Sequence, residues 1–310
     1  MILNLIFIVV GIALVLWGAD RLTDGAVALA DRMGISQVVI GLTVVAMGTS
    51  MPEFTISLLS AIKGTTGLAV GNVIGSNIFN SLLIVGTSAV VAPMMILKST
   101  VRKDIPFALV ASVMLYLLSQ DGQISRWDAA ILFVFFIIFM TITIKESKSE
   151  DSKKEDIQIK TIKVWQAIAF LLIGLTCLIL GSNIFVNGAT KLATTLGISD
   201  AVIGLTIVAG GTSLPELATS VVASRKGNSG IAIGNVLGSN VFNILMILGI
   251  TGLITPMSIH GITQVDLTML VVSMILLWLF SFTKYRIERW EGAILSILFI
   301  GYIIYLMYQL

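Results

Sequence analysis

The stretch GLTVVAMGTSMPEFTIS at residues 41–57 returns without a gap as GLTIVAGGTSLPELATS at 204–220, and GNVIGSNIFN at 71–80 returns as GNVLGSNVFN at 234–243. One offset of 163 residues, Gly41 to Gly204, relates both pairs. More than half of positions 41–86 are identical to their counterparts, far beyond what shared hydrophobicity produces. The chain is a duplication, so whatever one half builds the other must build again.

What the halves can build is set by their solvent. Charged residues make up 12% of the chain and hydrophobic ones 56%, whereas soluble domains are about a quarter charged. A membrane helix needs about 20 mostly apolar residues. On that measure spans are expected at 3–29, 36–62, 68–93, 104–119 and 127–144, then at 163–193, 199–224, 230–255, 265–282 and 291–308. Five spans per copy is an odd number, so the second copy enters the membrane from the opposite side. The predicted fold is an all-α membrane protein of ten transmembrane helices in two inverted five-helix repeats, an architecture of transporters. The predicted organisation is a first repeat at 1–144, a linker at 145–162 and a second repeat at 163–310.

The linker, rich in Lys, Glu, Asp and Ser, is too polar for hydrocarbon and too poor in apolar residues for a core of its own. With the linker in the cytoplasm and both termini outside, inner loops hold Arg32, Lys98, Arg102, Lys103, Arg225, Lys226, Lys284, Arg286 and Arg289. The outer loops keep little beyond Lys63 and Arg126. That asymmetry follows the positive-inside rule, and Trp127, Trp165 and Trp290 fall at span starts, as an interfacial belt requires. The N-terminus reads as the first membrane helix of a multi-pass cell-membrane protein, not as a cleaved signal. The near-neutral charge of +2 gives no basic face for nucleic acid, and no nucleotide-binding P-loop motif is present. One cysteine, Cys177, and one histidine, His260 in a polar break, leave little for disulfides, zinc or histidine catalysis.

Of the seventeen acidic residues only Glu53 and Glu216 lie well inside apolar spans. A charge there costs from about 3 to more than 10 kcal/mol, and no Lys or Arg sits at comparable depth to offset it. A bound cation or a proton is the simplest partner. Pro52 and Pro215 lack the N–H that would pair with the carbonyls of Gly48 and Gly211, so each helix is expected to break at its GTSxPE motif. Freed carbonyls near Thr49 and Thr212 can line a cavity. With the two carboxylates they make an oxygen-only cage that suits a hard cation such as Ca²⁺. Asn72, Ser76 and Asn80 recur every four residues and share a helix face, as do Asn235, Ser239 and Asn243. The pairs Gly71/Gly75 and Gly234/Gly238 are expected to let this helix approach its neighbour closely.

Two copies each of G-T-S-x-P-E and G-N-x-x-G-S-N resemble the alpha-repeats of the cation/calcium exchanger superfamily, over essentially the whole chain, and in particular its prokaryotic sodium/calcium exchangers. The resemblance implies an alternating-access antiporter with no cofactor, functional as a monomer, that is not an enzyme. It implies Glu53 and Glu216 as central ligands, joined around Ca²⁺ by the carbonyls of Thr49 and Thr212. Na⁺ would use the carbonyls of Ala46 and Ala209, the hydroxyls of Ser50, Ser213, Ser76 and Ser239, and the same glutamates; Asn80 and Asn243 complete the set. Where well-studied exchangers carry an aspartate in the second repeat, this chain has Asn243, which puts three Na⁺ per Ca²⁺ in question. A Ca²⁺/H⁺ antiporter on the same scaffold and a cation channel remain as alternatives.

Overall fold

The computed structural model describes residues 1–147, 163–197, 207 and 209–309. Most of the expected linker lies outside the described residues, as does the start of the span expected at 199–224. The elements are helical: α1 (Ile2–Met33), α2 (Gln37–Thr49), α3 (Met51–Ile62), α4 (Thr66–Val91), α5 (Ile105–Leu118), α6 (Arg126–Glu146), α7 (Val164–Thr195), α8 (Ala209–Thr212), α9 (Leu214–Arg225), α10 (Ser229–Ile254), α11 (Gln264–Ser281) and α12 (Arg289–Gln309). Among the described residues seven helices are long and apolar enough to cross a membrane, or eight if α2 and α3, bent by 47° at Ser50, form one span. The segment expected at 104–119 is helical as α5, 14 residues long, but the π-helical turn Thr100–Asp104 that leads into it carries Arg102, Lys103 and Asp104, and it is not among the seven.

The two motif-bearing helices α4 and α10 are the most buried of the long helices, whereas α1, α6, α7 and α12 turn most of their apolar surface outward. In water such a surface would be costly; in lipid it is the solvated face. Helices α1 and α7 run antiparallel along each other and make the most extensive helix pair. Glycine explains their closeness: a Cβ on Gly18 would stand 2.8 Å from the carbonyl oxygen of Gly174, and one on Gly181 would stand 2.9 Å from that of Gly11. Gly11, Gly18 and Gly25 recur every seven residues, as do Gly174, Gly181 and Gly188, and the repeat offset carries the first set onto the second.

The approach expected of Gly234 and Gly238 is present, since Cβ atoms there would meet Val38 O and Leu42 O, both at 2.6 Å. The repeat offset carries the stretch they meet onto 201–209, so the same expectation for Gly71 and Gly75 falls largely outside the described residues. Short antiparallel strand pairs tie loops of opposite halves: Met94–Met95 to Arg286–Ile287, and Gln123–Ile124 to Met257–Ser258. Capping boxes start α6, through Ser125 and Asp128, and α11, through Thr263 and Asp266. Asp266 also accepts a hydrogen bond from the Tyr302 hydroxyl at 2.7 Å. The described ion pairs lie away from the centre: Lys226 joins Asp20 and Asp24, Arg21 joins the same two aspartates, and Arg286 joins Glu288.

Candidate cation site

The site forms where the two GTSxPE segments meet. Ser50 and Ser213 both leave the helical region, with φ −82°, ψ 6° and φ −91°, ψ 8°, in the sparsely used bridge region that active-site residues often occupy. Each turn places a proline in the first turn of the next helix, where its missing N–H costs nothing. The glutamate that follows is held at a helix start, where the backbone dipole favours a negative group. Glu53 and Glu216 are 0% and 1% exposed.

The break residues serve the opposite half. Ser50 Oγ donates to Glu216 Oε1 at 3.1 Å, and Ser213 Oγ donates to Glu53 Oε1 at 3.0 Å. Thr49 and Thr212 also lie within hydrogen-bonding reach of Glu216 and Glu53 respectively. The other carboxylate oxygen of each glutamate, Oε2, is buried with no partner. Among the other buried oxygens in the same condition are Oδ1 of Asn80, Oδ1 of Asn243 and the hydroxyl of Ser239, on the residues expected at the site. Asn80 and Asn243 sit in π-helical turns, Phe79–Ile84 and Phe242–Ile247, a distortion frequent at functional sites. Helix α3 packs on the turn that carries Asn243, and α9 on the turn that carries Asn80.

An unpartnered buried acceptor costs about 1–3 kcal/mol, more when charged. Four of them on symmetric residues, two being carboxylate oxygens, offer the oxygen chemistry that could hold a hard cation. The residues read from sequence are not all engaged alike. Ser76 meets Ser213 at 3.2 Å between hydroxyl oxygens. The carbonyl of Ala46 already accepts from the amide of Ser50 at 3.0 Å and lies 3.3 Å from the Thr49 hydroxyl. Ala209 opens the short helix α8. Asn72 and Asn235 use their NH₂ groups within their own halves, each donating to the carbonyl of the glutamate in its half and to Ser57 or Ser220, while Asn235 Oδ1 accepts from the Thr49 hydroxyl of the other half at 3.1 Å. Two residues that the four-residue spacing passes over, Asn77 and Asn240, are bonded to the amides of Asn243 and Asn80. Their signal was the third position of GSN, identical in both copies.

A helical membrane protein with a buried, oxygen-lined centre shared between its halves is the class these elements define. The profile described as sodium/calcium exchanger protein matches residues 3–145 and 166–308. The sodium/calcium exchanger MaX1 of Methanosarcina acetivorans is 32% identical, covering 98% of this chain and 99% of its own. Inner membrane protein YrbG of Escherichia coli is 38% identical, covering 83% and 81%. The solved structure of the sodium-calcium exchanger NCX_Mj, soaked with Na⁺ and Ca²⁺, superposes with a TM-score of 0.85 at 34% identity, covering 97% of each chain. The chain belongs to the sodium/calcium exchanger family. Its relatives are exchangers and membrane proteins by name, in line with the expectation of a transporter and not an enzyme.

Proposed function

We propose that this protein is a secondary antiporter that exchanges Ca²⁺ for Na⁺ by alternating access at a site centred on Glu53 and Glu216. The observation that carries this reading is the set of four buried, unpartnered oxygens: Glu53 Oε2, Glu216 Oε2, Asn80 Oδ1 and Asn243 Oδ1. The carbonyls of Thr49 and Thr212 complete the coordination of Ca²⁺. Na⁺ takes overlapping places that add Ser50, Ser213, Ser76, Ser239 and the carbonyls of Ala46 and Ala209. Two carboxylates neutralise one Ca²⁺ or two Na⁺, so either cargo lowers the cost of burying the charge, and the empty, doubly negative site does not reorient until the other cargo has bound.

The frame for this cycle is a pair of inverted five-helix repeats, 1–144 and 163–310, ten spans in all, with α8 and α9 completing the span broken in the second half. The antiparallel α1/α7 pair and the cross-half strand pairs support it. The linker at 145–162 is cytoplasmic, both termini are outside, and one chain contains the whole site, which suits a working monomer in the cell membrane. The deciding experiment is Ca²⁺ uptake into proteoliposomes under an imposed Na⁺ or H⁺ gradient. Uptake driven by outward Na⁺ is the expected result; uptake driven only by H⁺ assigns the proton as coupling ion, and passive Ca²⁺ flux without a countersubstrate assigns a channel.

A further inference from the structure

An asparagine can turn either its carbonyl oxygen or its NH₂ toward a cation, and the partner of the opposite end decides which. Asn243 Nδ2 donates to Asn77 Oδ1 at 3.0 Å, and Asn80 Nδ2 donates to Asn240 Oδ1 at 3.0 Å. Each ligand amide is thus held by an amide of the opposite half. The holders are held in turn: Asn77 Nδ2 donates to the main-chain carbonyl of Asn240 at 3.1 Å, and Asn240 Nδ2 donates to Ser81 Oγ at 2.8 Å with Met274 Sδ at 3.4 Å. All four asparagines are at most 1% exposed, so water does not compete for these bonds.

We propose that Asn77 and Asn240 are positioning residues that set the polarity of the cation site, keeping the oxygens of Asn243 and Asn80, not their NH₂ groups, turned to the ion. This rests on the reading of Glu53 and Glu216 as a Ca²⁺ site. Were Asn243 to flip, its NH₂ would face the cation while its oxygen met Asn77 Oδ1, acceptor against acceptor. The same logic makes Asn77 a specificity determinant for position 243. As oriented, Asn77 offers an acceptor, which matches an amide there and opposes a carboxylate; its own NH₂ is committed to Asn240 O. The two holders are not equivalent, because Ser81, which anchors Asn240, has Ile244 as its counterpart in the other half. Asn77 therefore has only the main-chain carbonyl to fix it.

The test uses the purified full-length protein, with ⁴⁵Ca²⁺ binding and Ca²⁺-dependent thermal stabilisation as readouts. Asn77→Leu removes the acceptor at similar volume and should weaken Ca²⁺ binding about tenfold or more, the scale of a charge-assisted contact. Adding Asn243→Asp to Asn77→Leu should restore binding, because a carboxylate has no NH₂ end to present. Because the added carboxylate attracts Ca²⁺ by itself, the gain is compared with that of Asn243→Asp with Asn77 present, where the facing acceptor opposes it. A larger gain in Asn77→Leu is expected; equal gains, as a purely structural role predicts, overturn the proposal. Wild-type affinity in Asn77→Leu, or no rescue by Asn243→Asp, overturns the proposal. Should Asn77→Leu not fold, Asn77→Asp decides: it keeps the acceptor for Asn243 and should retain binding, and a folded Asn77→Asp without Ca²⁺ binding refutes the idea. Glu53→Gln separates the two levels of inference. Binding that survives Glu53→Gln refutes the glutamate site itself, whereas binding lost in Glu53→Gln but unchanged in Asn77→Leu refutes only the role of Asn77.

Discussion

Replacing Glu53 with Gln removes half of the site's formal charge while leaving its shape nearly intact, since the Gln oxygen can still accept the Ser213 hydroxyl now 3.0 Å from Oε1. The NH₂ then stands where the unpartnered Oε2 stood, presenting a donor to the cation. Loss of one partner from a buried charge pair costs about 3–5 kcal/mol, which at about 1.4 kcal/mol per decade is roughly two to three and a half orders of magnitude in Ca²⁺ affinity. The ion-free fold loses nothing comparable, because the substitution also removes a buried charge close enough to repel Glu216. Two assays separate these effects. Uptake of Ca²⁺ by proteoliposomes should fall to background, and thermal unfolding in detergent should show an ion-free midpoint at or above that of the unmodified protein. Ca²⁺ at 100 times its dissociation constant stabilises a binder by about 2.7 kcal/mol, and that increment should vanish in Glu53→Gln and in Glu216→Gln. Near-normal uptake by either variant would sink the reasoning.

Na⁺ should raise the apparent Ca²⁺ dissociation constant at fixed ionic strength, because the proposed sites for the two ions share the same glutamate oxygens; a flat response separates the sites. Gly174→Ala should lower the thermal midpoint by an amount equivalent to about 1–3 kcal/mol, since its Cβ would meet the amide nitrogen of Leu22 at 2.5 Å and the carbonyl oxygen of Gly18 at 2.7 Å. Gly301→Ala, with nothing within 4 Å of the added Cβ, is the control and should be neutral or stabilising.

The parts of the site legible in sequence were those whose chemistry is improbable in lipid. Glu53 and Glu216 stand out because a charge at that depth needs a reason, and Pro52 and Pro215 mark the breaks because a missing N–H is a local fact. The pairing of Ser50 with Glu216 and of Ser213 with Glu53 was not legible, since it depends on how two halves 160 or more residues apart are docked. Helix-face reading failed at Asn77 and Asn240. One residue beyond Ser76 or Ser239 a side chain points about 100° away, and the amides it meets, Asn243 and Asn80, lie in π-helical turns of the opposite half that the spacing does not reveal. Burial proved a wider category than depth: Glu291 is 0% exposed yet sits in the first turn of α12, where its Oε2 accepts the amide of Glu288 at 2.7 Å. The seven-residue glycine rows of α1 and α7 were visible in the chain but meaningful only once the two helices were known to be partners.

Charge counting makes the last prediction. Where the two GTSxPE segments meet, the unpartnered carboxylate oxygens belong to Glu53 and Glu216; Glu291, whose Oε1 is also unpartnered, sits in the first turn of α12, and Asn80 and Asn243 contribute dipoles without formal charge. One Ca²⁺ or two Na⁺ leaves the site neutral, whereas three Na⁺ leaves one positive charge in a low-dielectric centre where charges interact several times more strongly than in water. Lys226 and Arg21 are paired with Asp20 and Asp24 and do not adjust this sum. Exchange should therefore carry little net charge, and Na⁺-driven Ca²⁺ uptake should respond weakly to an imposed membrane potential. Asn243→Asp in an otherwise unmodified chain adds a third carboxylate. It should make transport more pH-dependent, because a site with three acids can take up a proton in place of a cation. Asn80→Asp, which faces an Asn240 anchored by Ser81, tests whether the two halves respond alike. Electrical recording on reconstituted membranes decides the stoichiometry. A robust Na⁺-driven current from the unmodified protein, reversing at the potential for three Na⁺ per Ca²⁺, would mean that the third positive charge is met by oxygen dipoles alone, and the argument from Asn243 would be wrong.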